Sequence, residues 1–131
     1  MTDRAIRRVV VFDDSPSQRA WIETLLRREG CAVHACASAA AAVDEVVAFA
    51  PDLVLMDVVM PGVSGFEATR LLRAHPATCR IPVVFLTSKG EEVDRAWGRR
   101  QGGVDHWVKP VRDETVREAL RHPPSAWFAR D

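Results

Sequence analysis

Three carboxylates, a hydroxyl and a lysine stand at the ends of separate apolar runs. Asp13-Asp14 follow Val9-Val10-Val11-Phe12, and Asp57 follows Leu53-Val54-Leu55-Met56. Thr87-Ser88 follow Val83-Val84-Phe85-Leu86, and Lys109 follows His106-Trp107-Val108. Singly, each has an ordinary reading as a cap, a turn residue or a solvated loop lysine. Brought together they would be costly, because clustered like charges need a cation to neutralise them. Hard oxygen ligands without His or Cys select Mg²⁺, with Mn²⁺ as the alternative. A divalent ion with a lysine and a hydroxyl opposite suits phosphoryl oxygens, and an aspartate there can become an aspartyl phosphate. No GxxxxGK[ST] loop is present, so nucleotide is not the evident donor.

The elements that must position these residues are legible from hydrophobic patterning. The four apolar runs are continuous rather than alternating, as strands of a parallel sheet covered on both faces require. Ala32–Cys36 is a fifth, weaker candidate. Ser15-Pro16-Ser17-Gln18 combines a cap, a proline at the first helical position and a capping-box glutamine. Trp21, Ile22, Leu25 and Leu26 then form a helical stripe that Gly30 can close. Ser64-Gly65-Phe66-Glu67 opens a second helix carrying Leu71 and Leu72. Residues 39–49, with Ser38 as cap, 91–101, and 113–121 before Pro123-Pro124 supply three more. The expected fold is α/β, a doubly wound five-stranded parallel sheet in the order 2-1-3-4-5 with five helices, flavodoxin-like. In such a sheet the ligand crevice lies beyond the carboxyl ends of the strands, where the acidic residues, Thr87 and Lys109 fall.

The 131 residues suit one domain, with a core of about 7–121 and a tail at 122–131. Acidic and basic side chains balance at 18 each, so no global field favours nucleic acid or an anionic membrane. Lys89 and Lys109 are the only lysines in an arginine-rich chain. Cys31, Cys36 and Cys79 lack CxxC or Cys/His spacing, which points to reduced thiols rather than a zinc site or disulfides. Met1–Arg8 lacks the apolar stretch of a signal peptide, and no run reaches the ~20 residues of a membrane span. These features predict a soluble, cytoplasmic protein. The default for Trp127-Phe128 beyond the prolines is disorder or incidental packing, with a segment docked over the domain as the sharper alternative.

Asp13-Asp14-Ser15, Leu55-Met56-Asp57, Met60-Pro61-Gly62 with Gly65, Thr87-Ser88 and Lys109-Pro110 together resemble the receiver domain of bacterial response regulators. The resemblance spans roughly Val9 to Leu120. It implies Asp57 as phosphoacceptor, Asp13 and Asp14 as metal-binding acids, and the Val59 backbone carbonyl as a further ligand. It implies Thr87 as the switch hydroxyl, Lys109 as the phosphate-pairing lysine and a cis Lys109–Pro110 bond. It also implies a histidine kinase as phosphodonor, a separate output protein and a monomer that catalyses only its own phosphorylation and dephosphorylation. Asp94 to Gly102, with Val59-Met60-Pro61-Gly62 and Pro110-Val111, is similar to the small regulators of type IV pilus chemosensory systems, which control twitching motility. The output protein would then belong to the pilus motor.

His106 stands where the family usually has tyrosine or phenylalanine as a rotameric switch. It is either a titratable version of that switch or a half-exposed histidine on an outer strand. Val59 and Lys89 occupy the positions that flank the route of the hydrolytic water, so they are candidates for tuning phosphoryl lifetime. A phosphate sink for a shared kinase is an alternative role for the same chemistry. An aspartyl-phosphate phosphohydrolase is an alternative of another class, though Val59 stands where such an enzyme carries its general acid-base. A flavodoxin-like electron carrier shares the topology, but Asp13-Asp14 would repel a flavin phosphate.

Overall fold

The computed structural model describes residues 5–88 and 95–128, with the backbone alone at 95–97. Strands β1 (Arg8–Phe12), β2 (Ala32–Cys36), β3 (Leu53–Asp57), β4 (Val83–Ser88) and β5 (Asp105–Lys109) alternate with helices α1 (Pro16–Arg28), α2 (Ala42–Phe49), α3 (Gly65–Ala74), α4 (Arg95–Arg100) and α5 (Asp113–Arg121). All strands are parallel, in the order β2-β1-β3-β4-β5. This is the expected doubly wound, flavodoxin-like sheet.

The continuous apolar runs are explained by two cores, one on each face. Val9, Val11, Leu55, Val84, Leu86 and Trp107 point toward Ile22, Leu25 and Leu26 of α1 and Val116 and Leu120 of α5. Their neighbours Val10, Phe12, Val54, Met56, Val83 and Phe85 point the other way, against Val46 of α2 and Ala68 and Leu72 of α3. Successive strand residues alternate faces, so a strand buried on both sides must be apolar throughout.

Local signals set most boundaries. The Ser15 hydroxyl accepts the Gln18 N–H at 3.4 Å with Pro16 at the first turn, and Gly30 follows α1 at φ 89°. Ser64 accepts the Glu67 N–H at 3.2 Å. Expectation and structure part at α2, which begins at Ala42 rather than 39. Ser38 Oγ accepts the Ala40 N–H in a local turn, leaving Ala41 at the cap position without a side-chain cap bond. Such a hydroxyl–backbone turn competes with helix, so alanine content alone misplaces the start. Two stripe residues also lie outside the core. Leu71 is exposed, and Trp21 is half-exposed while its indole N–H donates to the Val111 carbonyl at 2.8 Å. Residues 89–94, which hold Lys89 and the beginning of the expected helix 91–101, lie outside the described residues.

The tail corrects the default expectation of disorder or incidental packing. Residues Ser125–Phe128 form a turn of 3₁₀ helix, and Trp127 is 2% exposed within the core on the α1/α5 side. Its ring lies 6.3 Å from that of Trp107, and Phe128 packs against the same cluster. The prolines that stop α5 turn the chain back over the sheet. Trp127→Ala should therefore lower unfolding free energy by roughly 3 kcal/mol, the cost of emptying a buried aromatic site. Urea denaturation checks this, and an unchanged midpoint would make the tail an ornament.

Candidate functional site

The strand register brings the acids together. Phe12 pairs with Met56, so Asp13 and Asp57 emerge side by side from the ends of β1 and β3. Both are buried, at 0% and 2% exposure, while Asp14 is exposed at the rim. One oxygen of each of the three carboxylates lies within 4.8 Å of the others. Asp13 is held by its neighbours: Oδ1 accepts the Ser15 N–H at 2.9 Å, and its main-chain N–H donates to the Cys36 carbonyl at 3.0 Å. Arg19 donates to the Asp13 carbonyl at 2.8 Å, tying α1 to the same turn.

Lys109 enters from the end of β5. Its ammonium is 3.2 Å from Asp57 Oδ1 and 3.8 Å from Asp13 Oδ2, with only 8% of the side chain exposed. Those two carboxylate oxygens are buried without a well-aligned hydrogen bond, so one lysine supplies charge to both. Burial, and then the charge of Asp13, push the Asp57 carboxyl up from 3.8 to about 6, against the opposing pull of Lys109 and the Val59 N–H. Two buried acids facing one base leave an excess of negative charge and unshared lone pairs. An oxygen-rich pocket of that kind fits a hard divalent cation, with Asp13, Asp14 and Asp57 able to hold it.

The remaining expected residues take distinct places. Thr87 is buried on β4, one position beyond Leu86, the register partner of Asp57. Its hydroxyl lies 3.4 Å from the Trp107 carbonyl on β5, to which it donates. Val59 is 63% exposed just outside the pocket, and the Lys109–Pro110 peptide is cis. His106 is half-buried on β5 opposite Phe85, away from the carboxylates. It lines a cavity of about 170 Å³ with Phe85, Gly98, Gly103 and Trp127. Lys89 lies outside the described residues.

Gly65 supports the site by letting α3 approach Asp57. A Cβ on Gly65 would sit 2.1 Å from the Asp57 carbonyl oxygen and 3.0 Å from Met56 Cγ. The first turn of α3 is pressed onto the backbone of Asp57, and the Gly65 N–H donates to the Val58 carbonyl at 3.1 Å. Only glycine permits that approach.

Comparison with known proteins agrees with this geometry. Residues 9–121 match the response regulator receiver domain, and the chain belongs to that family. It is a receiver-domain response regulator of a two-component system. It is 39% identical to Protein PilH of Pseudomonas aeruginosa over 113 residues, covering 86% of this chain and 93% of that one. Identity to Protein PilG of the same organism is 32% over 119 residues, covering 90% and 88%. The receiver domain of the Pseudomonas aeruginosa sensor histidine kinase PA1611, solved with a magnesium ion in its active-site cleft, superposes with a TM-score of 0.79. That match has 29% identity and covers 89% of this chain and 96% of that one. No helix among the described residues is long and apolar enough to cross a membrane.

The raised Asp57 carboxyl has a consequence for stability. Between pH 3.8 and about 6 the folded protein holds a proton that the unfolded chain has released, so stability falls as pH rises through that window. Above it the full cost of a buried charge remains. In the metal-free protein, Asp57→Asn should be more stable than wild type at neutral pH, by on the order of 3 kcal/mol. That advantage should shrink toward zero below pH 3.8, the ordinary carboxyl value. Urea midpoints at both pH values, with chelator present, check this. Parallel curves across the window would mean that Asp57 ionises at no cost.

Proposed function

We propose that this protein is a phosphorylation-driven binding switch in which Asp57 accepts a phosphoryl group from a histidine kinase. The carrying observation is the buried Asp57 carboxylate, set between Lys109 and the Asp13–Asp14 pair with lone pairs unshared. An Asp57 oxygen attacks phosphorus, an O–P bond forms, and the P–N bond to the kinase imidazole breaks, the imidazole nitrogen regaining its lone pair. Lys109 pairs with a phosphoryl oxygen and offsets its charge. Asp13, Asp14, Asp57 and the Val59 carbonyl are the groups to hold Mg²⁺. When bound, that ion supplies the positive charge that lets an anionic phosphoryl group approach three carboxylates.

The output follows from Thr87. Its hydroxyl is engaged with β5 rather than with the pocket. A phosphoryl oxygen on Asp57 offers a charged acceptor in place of the Trp107 carbonyl, and charge-assisted hydrogen bonds are the stronger kind. Thr87 turning toward it releases β5, and the cavity beside His106 gives that ring room to follow. The affected surface then binds or releases a partner, a population shift between two states. Identity to PilH and PilG, together with the pattern from Asp94 to Gly102, supports a place in type IV pilus chemosensory signalling and twitching motility. In this reading residues 9–121 act as one receiver whose output is made by binding, as a monomer in the cytoplasm.

A small phosphodonor with Mg²⁺ should add one acid-labile phosphoryl group to the wild type and none to Asp57→Asn. Chelation of Mg²⁺ should stop the reaction. A modified serine, threonine or histidine in the intact-mass and peptide spectra would overturn the assignment. His106→Tyr should leave phosphorylation intact while changing affinity for the output partner.

Lifetime tuning rests on Val59 and Lys89. Val59 offers no polar atom to orient water, and Lys89 adds a cation for the phosphoryl group. The Val59→Asn, Lys89→Glu double variant should lose its phosphoryl group about ten-fold faster, equivalent to about 1.4 kcal/mol. Decay of the phosphorylated protein after donor removal measures this. Equal decay rates would remove both side chains from that role.

A further inference from the structure

A second group of side chains among the described residues has the chemistry of a metal ligand set, distinct in its donor atoms from the acidic pocket that it borders through the Asp13 N–H bond to the Cys36 carbonyl. His34 and Cys36 are two positions apart on the edge strand β2, so they project from the same face. Glu45 reaches them from the first turn of α2. His34 Nε2 is paired with Glu45 Oε2, and the Cys36 thiol lies 3.8 Å from the same oxygen. One donor atom from each residue lies within 4.8 Å of the other two. Tetrahedral zinc, at about 2.3 Å from sulfur and about 2.0 Å from nitrogen or oxygen, sets its ligands roughly 3.3–3.7 Å apart. The three side chains need adjust by only about an ångström.

The surroundings also suit an ion. The His34 ring stacks on Phe49 at 5.6 Å. Phe49 is itself fixed by Arg8, whose guanidinium lies 4.1 Å over that ring and donates to the Phe49 carbonyl at 2.8 Å. The stacking restricts the plane of the His34 imidazole. His34 and Glu45 side chains are each 41% exposed, which leaves an entry path and room for a water ligand.

We propose that His34, Cys36 and Glu45 form a Zn²⁺ site with water as the fourth ligand. As the Sγ–Zn bond forms, the thiol proton leaves to solvent. The neutral imidazole gives its Nε2 lone pair and keeps its proton on Nδ1, and Glu45 exchanges its contact with His34 for the metal. One thiolate and one carboxylate cancel the charge of the ion. Nitrogen and sulfur donors separate this site from the all-oxygen pocket, so the two select different cations. Occupancy ties β2 to α2 at one edge of the sheet.

The test uses the full-length reduced protein with Mg²⁺ in excess, so that the acidic pocket is filled. Co²⁺ should give a 1:1 complex with a thiolate-to-metal charge-transfer band in the near ultraviolet, and Zn²⁺ should displace it stoichiometrically. Cys36→Ser, His34→Ala and Glu45→Gln should each weaken Zn²⁺ binding at least ~10-fold, the loss that even an outer partner of a metal ligand costs. Cys79→Ser and Asp57→Asn should bind as the wild type does. Should a ligand variant fail to fold, protection of Cys36 from alkylation by Zn²⁺ in the wild type decides the matter by peptide mass spectrometry. A Co²⁺ complex without the thiolate band, alkylation of Cys36 indifferent to Zn²⁺, or binding lost only in Asp57→Asn overturns the site.

Discussion

Two carboxylates, Asp13 and Asp57, are buried side by side with one ammonium between them, and that imbalance governs the rest of the pocket. In water such a pair would separate or take up counterions. Here adjacent parallel strands hold them together, and the sheet cannot move them apart without breaking its own hydrogen bonds. The protein can relieve the repulsion by protonating one acid, admitting a cation, or delivering Lys109 more closely. The raised Asp57 carboxyl is the first of these outcomes. Divalent-ion binding, which is usual for receiver domains, is the second. The repulsion is thus a store of affinity for any positively charged visitor.

Keeping such a site in place requires a scaffold that yields less than the site repels. The strand residues leading to Asp13 and Asp57 are fully buried on both faces, and their register fixes the relation of the two acids to within a residue. Gly65 adds a second constraint, because α3 closes directly on the Asp57 carbonyl and leaves no room for that strand end to retreat. Arg19 and Ser15 do the same for Asp13 from α1. Stability in the core is therefore what holds an unfavourable arrangement at the edge.

The acidic pocket was legible in the sequence because topology does the assembling. Once continuous apolar runs imply a doubly wound parallel sheet, every residue just past a strand belongs to one crevice, and Asp13, Asp57, Thr87 and Lys109 need no pairing rule to meet. The His34–Cys36–Glu45 group was not legible, since zinc spacings in sequence are cysteine-centred and local, whereas Glu45 arrives from a helix nine residues beyond Cys36. The docked Trp127 was named only as an alternative to disorder or incidental packing, for a related reason. Two prolines read as the end of structure, yet an aromatic that large seeks burial wherever the core leaves an opening. The start of α2 failed because alanine-rich sequence carries no stop signal, and a single serine turn decided the boundary.

Rigidity is unevenly spread across the sheet, and this bears on how a local charge could be read at a distance. β1, β3 and most of β4 are sealed, but the outer strand β5 is only partly covered and borders the cavity lined by Phe85, Gly98, Gly103, His106 and Trp127. Gly103 sits so close to Phe85 that a Cβ there would lie 2.3 Å from the ring, so close backbone packing and empty volume lie together. Thr87 joins the two regions, buried at the end of β4 with its hydroxyl on the Trp107 carbonyl. Asp57 thus lies between the sealed strand β1 and, across β4, the partly covered β5. Displacement in a packed body follows the direction with free volume. The free volume at this end of the sheet therefore lies beside β5, where Trp127 lines the cavity with its ring 6.3 Å from that of Trp107.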